Sequence, residues 1–239
     1  MIAILKKELN SFFSTPVGYL VIAVFLIING LFLWVFDGDF NILNAGFSDL
    51  NSFFFLAPWI FVFLIPAVTM RMFSDEYNTG TIEILKTKPI SDWQIILGKY
   101  FASLLLIVIA VSPTLIYVYS IGKLGNPSFN FDSGSMIGSY IGLLFLASTY
   151  TAIGLFASML SQNQIIAFII AVCLSLFLYA GFETMNSLFG SLEYTVQKTG
   201  MAAHFKSLAR GVIDTRDLIY FLSITMFFLI LTKFRLERE

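Results

Sequence analysis

Charged residues are scarce in this chain and nearly balanced in sign. Only 12% of the 239 residues are charged and the formal net charge is −1, whereas ordinary soluble domains carry about 25% charged residues. The chain therefore has no basic surface of the kind that nucleic acids require, and we predict no nucleic-acid partner. The low charged fraction excludes an ordinary soluble domain and indicates an integral membrane protein.

Cysteine and histidine are almost absent. The single cysteine, Cys173, lies within an apolar run, so it cannot form an internal disulfide, and we expect a buried small side chain rather than a redox site. The single histidine, His204, cannot build a metal site alone. We expect it to make a local hydrogen bond, with a pH-sensing role as the alternative.

Motifs for nucleotide binding and for catalysis are also missing. A phosphate-binding loop requires the pattern GxxxxGK[ST]. Gly98 and Lys99 resemble its end, but Trp93 stands where the first glycine is needed and Tyr100 follows the lysine. The sequence contains no HExxH, GxSxG or CxxC pattern. We therefore predict a chain that is not an enzyme and has no catalytic residue, metal or cofactor of its own.

Long apolar runs make up most of the chain, of which 58% is hydrophobic. A membrane-spanning helix needs about 20 predominantly apolar residues. Six stretches meet or approach this requirement, the last with help from a lysine that extends toward the membrane surface. The predicted spans are 17–36, 53–70, 100–121, 136–160, 164–182 and 218–234. We predict an all-α membrane protein in which residues 1–239 form one transmembrane domain of six helices.

The cores of these six runs contain no Asp, Glu, Lys, Arg or His. Ion-coupled carriers and pumps place such groups inside the bilayer, where burying them is costly. Their absence argues against an ion-coupled carrier. If the protein moves a solute, the energy comes from outside the membrane.

The distribution of basic residues predicts the orientation of the chain. An even number of spans places both termini on one side, and nine of the 14 Lys and Arg residues lie on that side. The first loop on the other side, residues 37–52, has none. By the positive-inside rule both termini are cytoplasmic. The loop 183–217 counts against this orientation, because it holds four of the five basic residues on the other side.

Two segments outside the spans are amphipathic. Residues 1–14 combine apolar residues such as Ile2 and Leu5 with Lys6 and Lys7, which predicts a helix along the inner membrane surface. The loop 183–217 mixes apolar and polar residues, which predicts short helices at the outer surface. Its apolar residues include Leu188, Phe189, Leu192 and Val196.

Span four carries small residues at a spacing that lets helices approach closely. Gly134, Gly138 and Gly142 are each four residues apart, and this pattern favours helix packing in membranes. Packing within one protomer and packing across a dimer remain equally open. In span one, we predict that Asn29 hydrogen-bonds to a neighbouring helix.

The polar island between spans two and three, residues 71–99, has the features of an ordered element. Asn78 and Gly80 are typical helix stops, so residues 81–86 are predicted to form a short separate helix that presents Ile82 and Leu85 on one face. The sequence from Ser91 to Gln94 has capping-box spacing and predicts the start of the next helix. The simplest interpretation is a surface helix that only stabilises the turn.

The island also resembles a known family. The order Asp75-Glu76, Gly80-Thr81-Ile82-Glu83, Leu85, Pro89-Ile90-Ser91 and Gly98-Lys99 is similar to the signature of ABC-2 type transporter permeases. The amphipathic start, the six spans and the large loop before span six fit the same family. The stretch from His204-Phe205 through Gly211-Val212-Ile213-Asp214 to Tyr220-Phe221 resembles the subgroup associated with gliding motility in bacteroidetes.

This resemblance implies a permease subunit in the bacterial inner membrane that exports or moves a load. A cytoplasmic ATPase subunit, which binds ATP and magnesium, and a second six-span subunit, the same or different, are the implied partners. Residues 1–14 would be an elbow helix and residues 81–86 a coupling helix. The implied ATPase-coupling residues are Glu76, Gly80, Thr81, Ile82, Glu83 and Leu85.

Within this picture, Ile82 and Leu85 are expected to insert into an apolar cleft of the ATPase. Glu76 and Glu83 are expected to pair with basic residues on the ATPase or on the elbow. Two other functions remain open: a structural membrane subunit of a motility or secretion machine that transports no solute, and an ATP-independent carrier or channel.

Overall fold

The computed structural model describes residues 1–44, 46–87, 89–185 and 198–238 of the chain. Within these ranges every regular element is a helix, and six helices are long and apolar enough to cross a membrane. The predicted fold class, an all-α protein with six membrane-spanning helices, is therefore confirmed. The spans are Pro16–Val35 (one), Asn51–Asn78 (two), Asp92–Leu124 (three), Ser133–Met159 (four), Gln164–Thr184 (five) and Thr215–Glu237 (six).

Most of the helices extend beyond the uncharged runs. Span three begins at Asp92, eight residues before the predicted start, and span six begins at Thr215. The start of span six is capped by Asp214, whose carboxylate accepts a hydrogen bond from the Arg216 amide at 2.9 Å. Helix hydrogen bonds and caps do not require apolar side chains. Hydropathy therefore marks the membrane depth but not the helix ends.

The breaks within two spans lie at or near a proline. Pro113 lies in a short 3-10 turn in span three, and span two is interrupted at Met70, one turn after Pro66. Proline lacks an amide hydrogen, and its ring displaces the preceding turn of the helix. The segments of span three are Asp92–Val111 and Leu115–Leu124, and those of span two are Asn51–Thr69 and Arg71–Asn78.

Spans one and five each end in a π-helical turn. In span one the α-helix Pro16–Gly30 is followed by the turn Leu31–Val35, and in span five the α-helix Gln164–Leu176 is followed by the turn Phe177–Gly181.

Span four lies at the centre of the bundle. In its most apolar window 72% of the residues are buried, compared with 28% in spans one and five. Tyr150 is completely buried near the middle of span four, and Gly154 lies against Thr69 of span two. Lipid is as apolar as the helix interior, so close packing of this kind, rather than transfer from water, holds membrane helices together.

The two ends of the bundle carry different secondary elements. One end, the termini end, holds the N-terminal helix Ile2–Ser14, the short helix Thr81–Lys86 and the end of span six. The opposite end, the far end, holds the helix Met201–Leu208, which we call the outer-loop helix. The predicted apolar residues of this loop, Leu188, Phe189, Leu192 and Val196, lie outside the described residues.

Two local predictions are wrong, and a third is confirmed only in part. The Asn29 amide donates to the Phe25 carbonyl of its own helix at 2.7 Å, not to a neighbouring helix, because that carbonyl lies one turn back and within reach of the side chain. Cys173 is exposed on the outer face of span five rather than buried, since an apolar run in a membrane can face lipid. The spacing from Ser91 to Gln94 correctly predicts a helix that starts at Asp92 after Ser91, but Ser91 makes no side-chain cap; its carbonyl accepts from the Gln94 amide.

Candidate functional site

The N-terminal helix packs directly on the start of span three. Gly98 makes this approach possible, because a Cβ at that position would lie 2.9 Å from the Cβ of Ile4. Ile4 and Phe12 are the buried residues of the N-terminal helix, and the guanidinium of Arg71 lies over the Phe12 ring at 4.8 Å. The apolar face of this helix is therefore turned toward the protein as well as the membrane surface.

Four charged side chains meet at this contact and form what we call the charge cluster: Lys7, Glu8, Glu76 and Lys99. Lys99 is at its centre, with only 1% of its side chain exposed. Its ammonium lies 3.1 Å from Glu8 Oε1 and 2.9 Å from Glu76 Oε1, and it donates to the Met72 carbonyl at 2.7 Å. All three ammonium donors of Lys99 therefore have an acceptor.

Lys7 completes the charge cluster from its solvent side. Its ammonium lies 3.0 Å from Glu76 Oε1 and 3.5 Å from Glu8 Oε1, which gives two cations and two carboxylates. Partial burial lowers the pKa of Lys7, but the hydrogen bonds and charges of Glu76 and Glu8 outweigh it and raise the pKa above 10.5. Lys7 therefore stays protonated at neutral pH, and the cluster is electrically balanced.

The charge cluster joins three segments that are distant in sequence. Glu8 belongs to the N-terminal helix, Glu76 to Arg71–Asn78, which we call the span-two extension, and Lys99 to span three. Burying charges costs several kcal/mol per ion, and breaking such a pair leaves an uncompensated charge. Glu76 Oε2 is buried without a hydrogen-bond partner among the described residues. The cluster is therefore a costly arrangement that constrains how these three segments sit together.

Sequence reasoning missed Lys99 and Glu8. In the sequence, Lys99 resembles the end of an incomplete phosphate loop and belongs to the Gly98-Lys99 part of the family signature, and it lies just before the uncharged run that begins at residue 100. The helix of span three starts at Asp92, so Lys99 faces the protein interior. For Glu76, the structure has one of the two expected arrangements, a pair with a lysine of the N-terminal helix.

The short helix Thr81–Lys86 follows a tight turn at the termini end. Gly80 has φ of +68°, a left-handed conformation that glycine adopts without strain. The helix then turns Ile82 toward the protein core, where it is 6% exposed, and Leu85 is half-buried. Ile82 and Leu85 therefore share one face of the helix, as predicted, but that face packs against the protein itself. Transfer of the Ile82 side chain from water into the adjacent apolar core is favourable, and this burial holds the short helix against the protein.

Two polar side chains are exposed on this helix. Thr81 and Glu83 are exposed, and so is Thr87 just after it. The carboxylate of Glu83 lies in the first turn of the helix, where a negative charge is favourable. A partner that contacts this helix from outside would meet the hydroxyl of Thr81 and the carboxylate of Glu83.

The span-two extension also contacts spans four and five. The Ser74 hydroxyl donates to the Ser158 carbonyl of span four at 2.9 Å, and the Gln164 amide donates to Asp75 at the start of span five. Together with the charge cluster, these bonds tie the segment before the short helix to three spans. A displacement of the short helix would therefore act on most of the bundle.

Gly134, Gly138 and Gly142 of span four lie against the outer-loop region of the same chain. A Cβ on Gly138 would be 2.3 Å from the Leu208 carbonyl oxygen, and a Cβ on Gly142 would be 3.1 Å from the Phe205 ring. A Cβ on Gly134 would meet Asp132 Oδ1 at 3.3 Å. In this conformation, Gly138 and Gly142 face the outer-loop helix within one protomer.

His204 of the outer-loop helix makes the expected local hydrogen bond. Its Nδ1 lies 2.6 Å from Asp217 Oδ1 in span six, and its ring stacks on Tyr220 with centroids 3.8 Å apart. Among the described residues, no group of three or more His, Cys, Asp and Glu side chains is placed to hold a metal ion.

One comparison with known proteins covers almost the whole chain. The model of the ABC-2 family transporter proteins matches residues 2–234 of the 239, a range that includes every residue of the charge cluster and the short helix. No protein of curated function matches the chain. With six apolar helices, the protein is a multi-pass membrane protein. The chain belongs to the ABC-2 family of transporter proteins.

Proposed function

We propose that this protein is the permease subunit of an ATP-binding cassette transporter and that its termini end faces the cytoplasm. Permeases of this family are typically non-catalytic and normally work with a cytoplasmic ATPase. The excess of basic residues on the termini side supports this orientation and an inner-membrane location. ATP and magnesium would be bound by the partner ATPase, and a second six-span subunit, the same or different, would complete the pore.

The observation that carries the proposal is the charge cluster. The short helix is joined through Gly80 to the span-two extension, and Glu76 of that extension is bonded to span three through Lys99 and to the N-terminal helix through Lys7. A push on the short helix would pass through Glu76 to both. Packed elements of this kind move as rigid bodies rather than deform. In this proposal Glu76, Gly80 and the short helix act as one lever.

The ATPase would contact the short helix at its exposed polar residues. Gly80, Thr81 and Glu83 are the exposed members of the expected coupling residues, whereas Ile82 fixes the helix to its own chain and Leu85 lies at the edge. Glu83 would meet a basic group on the ATPase. This assignment differs from the sequence-based hypothesis, in which Ile82 and Leu85 formed the contact.

In this proposal the transporter serves gliding motility. The similarity of residues 204–221 to the gliding-motility subgroup supports this part of the proposal. A structural subunit that transmits force without moving a solute would use the same lever, so nucleotide-dependent solute flux in reconstituted vesicles separates the two functions.

The proposal is tested by charge reversal at Glu83. The wild-type protein is purified in mild detergent and its bound ATPase is identified; Glu83→Arg is then purified in the same way. We expect the variant to reach the membrane in normal amount but to bind the ATPase at least about tenfold more weakly, because like charges face each other across the contact. Glu83 is better suited than Leu85, whose replacement by arginine would also disturb the packing beneath the helix.

The matched control is Asp39→Arg, which reverses an exposed carboxylate at the far end. It should bind the ATPase and stimulate ATP hydrolysis like the wild type. Normal ATPase binding and normal stimulation in Glu83→Arg would refute the proposed contact surface. Absence of any ATPase from the purified wild-type complex would refute the permease function itself.

A further inference from the structure

A cleft at the far end lies between span two, span five and the outer-loop helix. Its volume is about 180 Å³. Aromatic side chains form its deeper part, and polar side chains lie near its mouth. The aromatic residues that matter here are Phe55, Trp59 and Phe205, and the polar ones are Asn51, Glu183 and Lys206.

The polarity of the cleft changes along the direction of the membrane normal. Asn51 is the first residue of span two, and Trp59 follows eight residues later, which places it about 12 Å deeper in the bundle. Phe55 is 54% exposed and Trp59 36% exposed, so both rings offer apolar surface to the cleft. The order from polar mouth to aromatic depth is the order of a phospholipid in one leaflet.

The mouth of the cleft holds an ion pair between separate elements. Lys206 Nζ of the outer-loop helix lies 2.7 Å from Glu183 Oε1 at the end of span five. Both side chains are accessible, at 54% and 42% exposure. A lysine beside a glutamate at the level of the headgroups presents one donor for a phosphate and one acceptor for an ammonium.

We propose that this cleft binds a phospholipid whose headgroup is a zwitterion of a phosphate and a primary ammonium, as in phosphatidylethanolamine. Lys206 contacts the phosphate, Glu183 accepts a hydrogen bond from the ammonium, and one acyl chain lies between Phe55 and Trp59. An anionic lipid would also offer its phosphate to Lys206 but would bring no ammonium to Glu183, so the phosphate and the carboxylate would repel each other with Lys206 as their one shared cation. This site is independent of the proposed coupling to an ATPase.

The proposal is tested by the fluorescence of Trp59. Trp34→Phe and Trp93→Phe leave Trp59 as the single tryptophan of the full-length protein, which is reconstituted in bilayers containing either brominated phosphatidylethanolamine or brominated phosphatidylglycerol. Bromine on the acyl chain quenches a ring that the chain touches. We expect quenching at low brominated fraction to require about threefold less phosphatidylethanolamine than phosphatidylglycerol, the ratio typical of one accessible ion pair.

The charge at the mouth is then changed. Lys206→Glu should remove the preference for phosphatidylethanolamine, because the phosphate would face two carboxylates. The matched control is Arg210→Gln, which removes an exposed positive charge that lies a few residues after Lys206 and does not line the cleft. This variant should keep the threefold preference. Native mass spectrometry compares the two lipids without the tryptophan substitutions. The protein with its native tryptophans is mixed with equal amounts of both lipids, and the lipid that stays bound is identified.

Three results would overturn the proposal. Equal quenching by the two lipids would show a groove without headgroup selectivity. No quenching by either lipid would show that protein fills the cleft, either residues 186–197 of this chain or a second copy. A preference that persists in Lys206→Glu, in quenching and in mass spectrometry alike, would show that the ion pair does not select the headgroup.

Discussion

At the scale of single residues, the most constrained side chain in the described part of the protein is Lys99. It is a charged residue with 1% of its side chain exposed, and its partner Glu8 lies 91 residues away in sequence. Hydropathy and local motifs identify neither residue, because the cost of burying one charge is met by a partner that only the fold brings near. By contrast, the role of Gly80 as a left-handed helix stop follows from local backbone preference and was predictable.

Replacing Lys99 tests the charge cluster. In Lys99→Met, Glu8 and Glu76 keep their negative charges with only the exposed Lys7 as a counter-ion, so we expect a loss of about 3 kcal/mol in the free energy of unfolding. Adding Glu76→Gln should recover part of that loss, because one carboxylate is then left for the one remaining cation, Lys7. Thermal unfolding in detergent measures both changes.

The control for Lys99 is Lys6→Gln, which removes an exposed lysine on the N-terminal helix outside the charge cluster. Its stability should stay within about 0.5 kcal/mol of the wild type. If Lys99→Met and Lys6→Gln unfold at the same temperature, the cluster does not hold the three segments together.

At the scale of helices, composition predicts existence better than position. The six apolar runs correspond to the six spans. The ends of span three and the packing partner of span four depend on contacts between segments that are distant in sequence, and hydropathy does not reveal such contacts. The spacing of Gly134, Gly138 and Gly142 indicated close approach without naming the partner. The structure supplies it: Gly138 lies under the Leu208 carbonyl of the outer-loop helix.

Gly138→Ala tests this contact between helices. The added Cβ would lie 2.3 Å from a backbone oxygen, which cannot rotate away as a side chain can, so the outer-loop helix must shift. We expect a loss of about 1–3 kcal/mol, the range found for overpacked sites, measured as a lower unfolding temperature in detergent.

Gly30→Ala makes the same replacement where nothing lies within 4 Å of the new Cβ. That variant should be as stable as the wild type or slightly more so, since alanine favours a helix over glycine by about 0.5–1 kcal/mol. Equal stability of the two alanine variants would mean that the outer-loop helix does not rest on span four in the membrane.

At the scale of the whole molecule, the open question is which side of the membrane holds the charge cluster and the short helix. The proposed contact with an ATPase requires the termini end to be cytoplasmic. The basic residues favour that orientation, although the loop before span six carries four of the five exceptions. The proposed lever and its proposed energy source, a cytoplasmic ATPase, therefore both require this orientation of the protein in the membrane.

Labelling of single cysteines with a membrane-impermeant maleimide decides the orientation. In a Cys173→Ser background, Asp39→Cys at the far end should label in intact spheroplasts, whereas Asn10→Cys on the N-terminal helix should label only after permeabilisation; both positions are exposed. The unaltered protein, whose Cys173 lies within span five, should not label, because a membrane-impermeant maleimide does not enter the hydrocarbon around that thiol. Labelling of Asn10→Cys in intact spheroplasts would place the short helix outside the cell, beyond the reach of any cytoplasmic ATPase, and would exclude the lever mechanism.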